Sequence, residues 1–169
     1  MDSMSLIIFS TCIVVLPIII GIIRYSKLST IQKLLFWMVV LICINQGIGT
    51  GLKNFSQITN DMPLYRLYML IEFVGLSLIY YRLIDKVFTQ RLIQYLGVVF
   101  LIWWTIDFLP NNLWNYPELL RFFQSILILA YAGTYFYLIF KEGRIRNLLS
   151  ESSFWISVGL IVYFASNSL

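Results

Sequence analysis

Six long apolar runs alternate with shorter polar stretches along the chain. Each run is close to the roughly 20 mainly apolar residues that a helix needs to cross the hydrocarbon core of a bilayer. The pattern therefore predicts an all-α fold, an integral membrane bundle of about six transmembrane helices in a single domain, 1–169. The predicted helices cover 6–23, 34–52, 64–81, 92–109, 119–140 and 154–169.

The basic residues indicate how these helices are oriented. Nine of the 12 lysines and arginines lie in the stretches after the first, third and fifth runs, and the alternate stretches contain mainly acids. By the positive-inside rule, the N-terminus is then outside and the three basic loops are cytoplasmic. The nine residues are Arg24, Lys27, Lys33, Arg82, Lys86, Arg91, Lys141, Arg144 and Arg146.

The last run is still apolar where the sequence stops at Leu169, so we expect the native chain to continue.

The composition supports a membrane location and excludes several classes of function. The chain is 60% hydrophobic and 12% charged, so a soluble enzyme, a nucleic-acid-binding module and a disordered protein are all excluded. It has no histidine, which excludes a Ser-His-Asp triad and histidine-ligated metals. We interpret Cys12 and Cys43 as small packing residues, and we predict no cofactor and no metal site.

Charged and polar residues within the predicted spans are the candidate functional residues, because such residues usually face the bundle interior. Glu72 lies about 12 Å below the outer end of the third helix at 1.5 Å per residue. Tyr65 and Tyr68 share its helix face. Side chains on four other helices lie at comparable depth in the outer half, whereas the inner half is almost purely aliphatic. They include Asn45 and Gln46 on the second helix, Asp107 on the fourth, Arg121, Gln124 and Tyr131 on the fifth, and Asn167 on the sixth.

Two interpretations of this group remain open. It is either a ligand pocket that opens to the outside, lined by tyrosines and held by Glu72 together with Arg121, or a set of interhelical hydrogen bonds that bind nothing. Arg66, on another side of the third helix, is expected to extend to the lipid headgroups.

Two segments carry a resemblance to a known group of proteins. Pro63–Leu83, with Tyr65, Tyr68 and Glu72, resembles the third helix of uncharacterised multi-pass membrane proteins of Bacteroidetes-type bacteria. Phe154–Leu169 is similar to their sixth helix, and its matching positions are Phe154, Trp155, Tyr163 and Asn167. Some members of this group resemble the membrane sensor halves of histidine kinases. The resemblance implies a membrane sensor or anchor module, and it implies no ligand.

The sequence therefore favours a non-enzymatic sensor-type or scaffold module in a bacterial inner membrane, with an outward polar pocket around Glu72. The alternatives are a small transporter or channel subunit that uses Glu72 for an ion or proton, and a lipid-modifying enzyme that uses the interfacial residues Asp107, Glu118 and Arg121. The expected partners are the lipid bilayer, a second copy of the chain, and a downstream signalling domain or partner protein. Nucleic acid is not an expected partner.

Overall fold

The computed structural model describes residues 16–56, 60–109, 114–142 and 151–167, and within these ranges it contains helices and no strand. The predicted all-α class is therefore confirmed. The chain divides into two units, Met1–Ile58 and Thr59–Leu169. The helices are α1 (16–23), α2 (Thr30–Ser56), α3 (Met62–Leu83), α4 (Val87–Asp107), α5 (Glu118–Glu142) and α6 (Ser152–Asn167), with a short 3-10 helix at Tyr25–Lys27 after α1.

Four of these helices, α2 to α5, are long and apolar enough to cross a membrane. The protein is thus an all-helical, membrane-embedded protein. Helix α6 is also apolar but has only 16 residues. Residues 6–15 of the predicted first helix lie outside the described residues. The six crossings, the outward N-terminus and the single domain over 1–169 stay predictions.

Two helices begin four or five residues earlier than the apolar runs predict, because a helix follows its hydrogen bonds and not its hydropathy. Ser29 and Gln32 bond reciprocally, side chain to backbone, in a capping box that starts α2 at Thr30. Helix α4 starts at Val87, so its first turn lies in the connecting segment that precedes the apolar run. The side-chain amide of Gln90 in that segment donates to the carbonyl of Tyr81 at 3.1 Å, which holds the start of α4 against the end of α3.

The first unit contains a close approach between α1 and α2. Gly21 is buried against the ring of Phe36, at a distance that leaves no room for a Cβ atom. The ring of Tyr25 packs edge-on against Phe36, and its hydroxyl accepts a hydrogen bond from the indole of Trp37 at 3.0 Å. The absence of a side chain at Gly21 therefore allows these two helices to pack closely.

In the second unit, α5 packs against α3, α4 and α6, and α3 also packs against α4. Part of the apolar surface of α3 is buried, and Phe73 stacks on Phe100 of α4 with ring centroids 3.8 Å apart, whereas Val74 and Leu78 are exposed. The apolar residues of α3 are distributed around the helix, as expected for a helix with neighbours on several sides. A polar residue on α3 can consequently have partners on the neighbouring helices as well as within α3.

Candidate functional site

The carboxylate of Glu72 is at the centre of a buried polar network. Glu72 is 4% exposed. It forms an ion pair with Arg121 on α5 and accepts hydrogen bonds from the Gln124 amide at 2.9 Å and from the Tyr68 hydroxyl at 2.8 Å. Arg121 lies one turn before Gln124, so both reach Glu72 from the same face of α5. Three donors, one of which is also the counter-ion, thus replace the water that this buried carboxylate would otherwise bind.

The network extends from α3 and α5 to α6 through Tyr163. The hydroxyl of Tyr163 lies 2.9 Å from that of Tyr68 and accepts a hydrogen bond from Arg121 at 3.2 Å. The guanidinium also lies 5.9 Å from the ring centroid of Tyr163 and 5.4 Å from that of Phe164, within the range of cation–π attraction. The side chain of Arg121 therefore joins three helices at once.

Tyrosine hydroxyls form the exposed edge of this network. Tyr163 is 38% exposed and bonds directly to the buried part. Tyr65 packs against Tyr68, and its hydroxyl lies 2.9 Å from that of Tyr116, which is 48% exposed. A polar molecule that reaches this edge meets hydroxyl groups that can donate or accept, with the Arg121 cation directly behind Tyr163.

The structure brings together four of the candidate residues, Glu72, Tyr68, Arg121 and Gln124, with Tyr65 at their edge. Arg121 and Glu72 form the ion pair that the sequence predicts. Tyr163 belongs to the same group. The remaining candidates are placed elsewhere or not described: Asn45 is buried and Gln46 exposed on α2 of the first unit, and the side chain of Asn167 lies outside the described part of the chain.

Asp107 belongs to a second ion pair, and its partner corrects one expectation. Arg66 is 1% exposed and pairs with Asp107, so the prediction that Arg66 extends to the headgroups is wrong. Its guanidinium also donates to the carbonyl of Asn115 at 2.8 Å, and the Trp104 indole donates to the backbone carbonyl of Arg66 at 3.0 Å. With these partners Arg66 needs no headgroup. The signal that could have found this pair is an arginine and an aspartate at similar outer depth on neighbouring helices.

The same pairing separates the residues of the enzyme alternative. Arg121 pairs with Glu72, whereas Asp107 pairs with Arg66, and Glu118 is exposed at the start of α5. Asp107 and Arg121 thus have different partners, and the ion pairs do not join the three residues into one cluster. In the described ranges, no three Cys, Asp or Glu side chains come together in a way that could hold a metal ion.

A second polar cluster lies in the inner half, where the sequence predicts almost only aliphatic residues. Tyr131 is buried there, 6.3 Å from the ring of Tyr80 and not beside Glu72. The hydroxyl of Tyr80 donates to Ser157 on α6 at 3.3 Å. The expectation of an aliphatic inner half is therefore wrong. Ser153 and Ser157, both buried and four residues apart on one face of α6, were the overlooked signal.

Comparisons of the chain with protein-family models, with curated proteins and with solved structures found no match. Its function must be argued from the geometry of the network.

Proposed function

We propose that the protein is a non-enzymatic membrane module of the sensor or scaffold type, in which the network around Glu72 holds α3, α5 and α6 in one arrangement. The observation that carries the proposal is that a single buried ion pair, Glu72–Arg121, has hydrogen-bonded partners on all three helices. Buried charges keep their partners because an unpaired charge there is costly, so the pair favours one relative placement of the helices.

The hydroxyls of Tyr65, Tyr116 and Tyr163, the tyrosine edge of the network, are the groups through which such a module would respond to a ligand. A small anionic ligand would bind Tyr163 and compete with Glu72 for the Arg121 guanidinium, which suits carboxylates and phosphates. The ligand would shift the population only if it binds the opened arrangement more tightly than the closed one. Because Tyr163 is on α6 and Arg121 is on α5, the α5–α6 pair is the part that we expect to move.

The orientation and location are also part of this proposal. We infer six crossings, an outward N-terminus and a bacterial inner membrane from the apolar runs and from the three basic loops. With this orientation the tyrosine edge faces the outside, and the connection between α5 and α6 is cytoplasmic. A displacement of these two helices would then reach a cytoplasmic signalling domain or partner protein.

The network gives the transporter alternative less support. Arg121 already balances the charge of Glu72, so a transported cation is not needed for that purpose. The lipid-modifying enzyme also has less support, since Asp107 and Arg121 are each committed to a different partner.

The test is a distance measurement between α5 and α6 by spin labelling in nanodiscs. Pairs of labels at exposed positions near the outer and the inner ends of the two helices report separately on each end. The native cysteines are replaced by serine. The labels are attached to cysteines placed at Leu119 and Val162 for the outer pair, and at Phe140 and Trp155 for the inner pair.

Glu72→Gln removes the charge and keeps the shape of the side chain. A sensor predicts that both distances change by about 1–2 Å or more, the scale of helix shifts in switching proteins. Thr134→Val is the matched control, because the Thr134 hydroxyl bonds only within α5, to Ala130, and takes no part in the network. A change of the outer distance alone would support a scaffold and exclude a sensor. Unchanged distances at both ends would refute the proposal.

A further inference from the structure

A groove of about 430 Å³ lies between α3 and α4, within the second unit. One wall is Phe73, Val74 and Ser77 of α3, and the other includes Gln94 and Gly97 of α4. Gly97 has no side chain, and no atom lies within 4 Å of the position that a Cβ would occupy. The groove is therefore open at Gly97, where a side chain would otherwise fill the space between the two helices.

The groove changes in polarity along its length. Ser77 and Gln94 line the half that is nearer to the α3–α4 connection, and the far half is lined by apolar side chains such as Phe73 and Leu101. At 1.5 Å per residue, Leu101 lies about 15 Å along α4 from Arg91. This length is half of the roughly 30 Å hydrocarbon core, so the groove spans one leaflet.

The end of the groove at the α3–α4 connection is basic. Arg82, Lys86 and Arg91 are exposed there, and Asp85 between them leaves the connection with an excess of positive charge. Basic clusters beside grooves between transmembrane helices bind the headgroups of anionic lipids.

We propose that this groove binds one acyl chain of an anionic phospholipid, whose phosphate is held by Arg82 and Arg91. Gln94 lies about 4.5 Å deeper than Arg91, and Ser77 about 7.5 Å deeper than Arg82, which is the level of the lipid ester groups. The Ser77 hydroxyl has no hydrogen-bond partner among the described residues, and after rotation of its side chain from the buried position it would donate to an ester carbonyl in the groove. The order of phosphate, esters and hydrocarbon thus matches the order of basic, polar and apolar residues along the groove.

The charge at the connection favours a lipid over a second copy of the chain. A helix from a second copy would be as apolar as the groove, and it would leave the basic end without an anionic partner. A phospholipid satisfies both ends at once.

The test uses the full chain, reconstituted in nanodiscs with equal amounts of phosphatidylglycerol and phosphatidylcholine and released for native mass spectrometry. Gly97→Leu fills the groove, and Gly133→Leu is its matched control, because a Cβ at Gly133 on α5 also meets no atom within 4 Å. We expect Gly97→Leu to retain about tenfold less phosphatidylglycerol than the wild type, and Gly133→Leu to retain as much.

A second variant tests the charge without changing the packing. Arg82→Gln combined with Arg91→Gln should lower the preference for phosphatidylglycerol over phosphatidylcholine by about tenfold or more, since each basic residue near an anionic headgroup contributes to binding. Arg24→Gln combined with Lys27→Gln, two exposed basic residues of the first unit, should not. Equal retention by the two leucine variants, or a preference that survives the loss of both arginines, would overturn the proposal. A wild-type dimer that Gly97→Leu dissociates would overturn it in favour of a second copy.

Discussion

Replacing Glu72 with glutamine keeps the size of the side chain and removes its charge. The new amide oxygen can still accept from Gln124 and the new NH2 group can donate to the Tyr68 hydroxyl, but the Arg121 guanidinium then remains 6% exposed with no counter-ion. Removing one partner of a buried ion pair costs about 3–5 kcal/mol in soluble proteins. Polar contacts in membranes are often worth less, because the unfolded chain in the bilayer also finds partners. We therefore expect Glu72→Gln to lower the free energy of unfolding by about 2–3 kcal/mol.

The reciprocal change, Arg121→Gln, should cost a similar amount, because it leaves the carboxylate buried without a cation. The double variant Glu72→Gln, Arg121→Gln places two neutral amides face to face, and these can hydrogen-bond to each other. It should cost only about 1 kcal/mol, since well-paired neutral groups replace a buried ion pair with little loss. The two single effects would then exceed the double effect by about 3–5 kcal/mol.

The assay is reversible unfolding of the four proteins in mixed micelles, followed by tryptophan fluorescence at several denaturing detergent fractions. The interaction energy is obtained from the double-mutant cycle, which cancels effects that each substitution has by itself. Single substitutions that each cost less than about 0.5 kcal/mol, or costs that simply add, would refute the argument that this ion pair holds the helices together.

Four further substitutions can be tested by the same unfolding measurement. Tyr131→Phe should be neutral or stabilising by about 1 kcal/mol, because the buried Tyr131 hydroxyl has no hydrogen-bond partner in the described ranges. Tyr68→Phe should instead cost about 1–2 kcal/mol, because it removes the hydroxyl that bonds to Glu72 and Tyr163. Equal effects of the two substitutions on the free energy of unfolding would contradict this difference. Asp107→Asn should destabilise by about 2 kcal/mol or more by removing the counter-ion of a buried arginine, and a silent substitution would refute that pairing. Gly21→Ala should destabilise the first unit by about 1–3 kcal/mol, since the new methyl group overlaps the ring of Phe36, and an unchanged midpoint would show that the ring moves aside freely.

The hydropathy pattern predicted the class of the fold because a lipid-embedded helix must be apolar along its whole length. It placed α3 within two residues at each end, where Pro63 lies in the first turn of the helix and the charged residues after Tyr81 follow its apolar run. It placed the start of α4 five residues late, because Thr89, Gln90 and Arg91 near the start of α4 interrupt the apolar pattern. Apolar runs report where a helix contacts lipid or the core, and hydrogen bonds decide where it ends.

The site was predictable where depth and helix face agreed. Glu72, Tyr68 and Arg121 all lie in the outer half on one face of their helices, and they do meet. Arg66 shows why the rest was not predictable. Its depth was compatible with both the headgroups and a buried partner, and only the rotation of α3 relative to α4 decides between them. A single sequence does not contain that rotation, since α3 is apolar on all sides.

The two ion pairs together specify which helix lies where around α3. Arg66 and Glu72 are six residues apart, which places them about 9 Å apart along the axis and about 120° apart around it. Arg66 faces Asp107 on α4, and Glu72 faces Arg121 on α5. If α5 took the place of α4, two arginines would approach each other and Glu72 would lose its cation, so the charges select one order of neighbours.

The two pairs differ, however, in how they connect to the exposed edge. Arg66 is almost completely buried, but the side chain of its partner Asp107 is 20% exposed. Both side chains of the Glu72 pair are less exposed than Asp107, and this pair reaches the exposed edge through the hydroxyl of Tyr163 on α6. Under the proposed function, an anionic ligand that binds at Tyr163 competes with Glu72 for the Arg121 cation, so we expect the α5–α6 pair to move relative to α3.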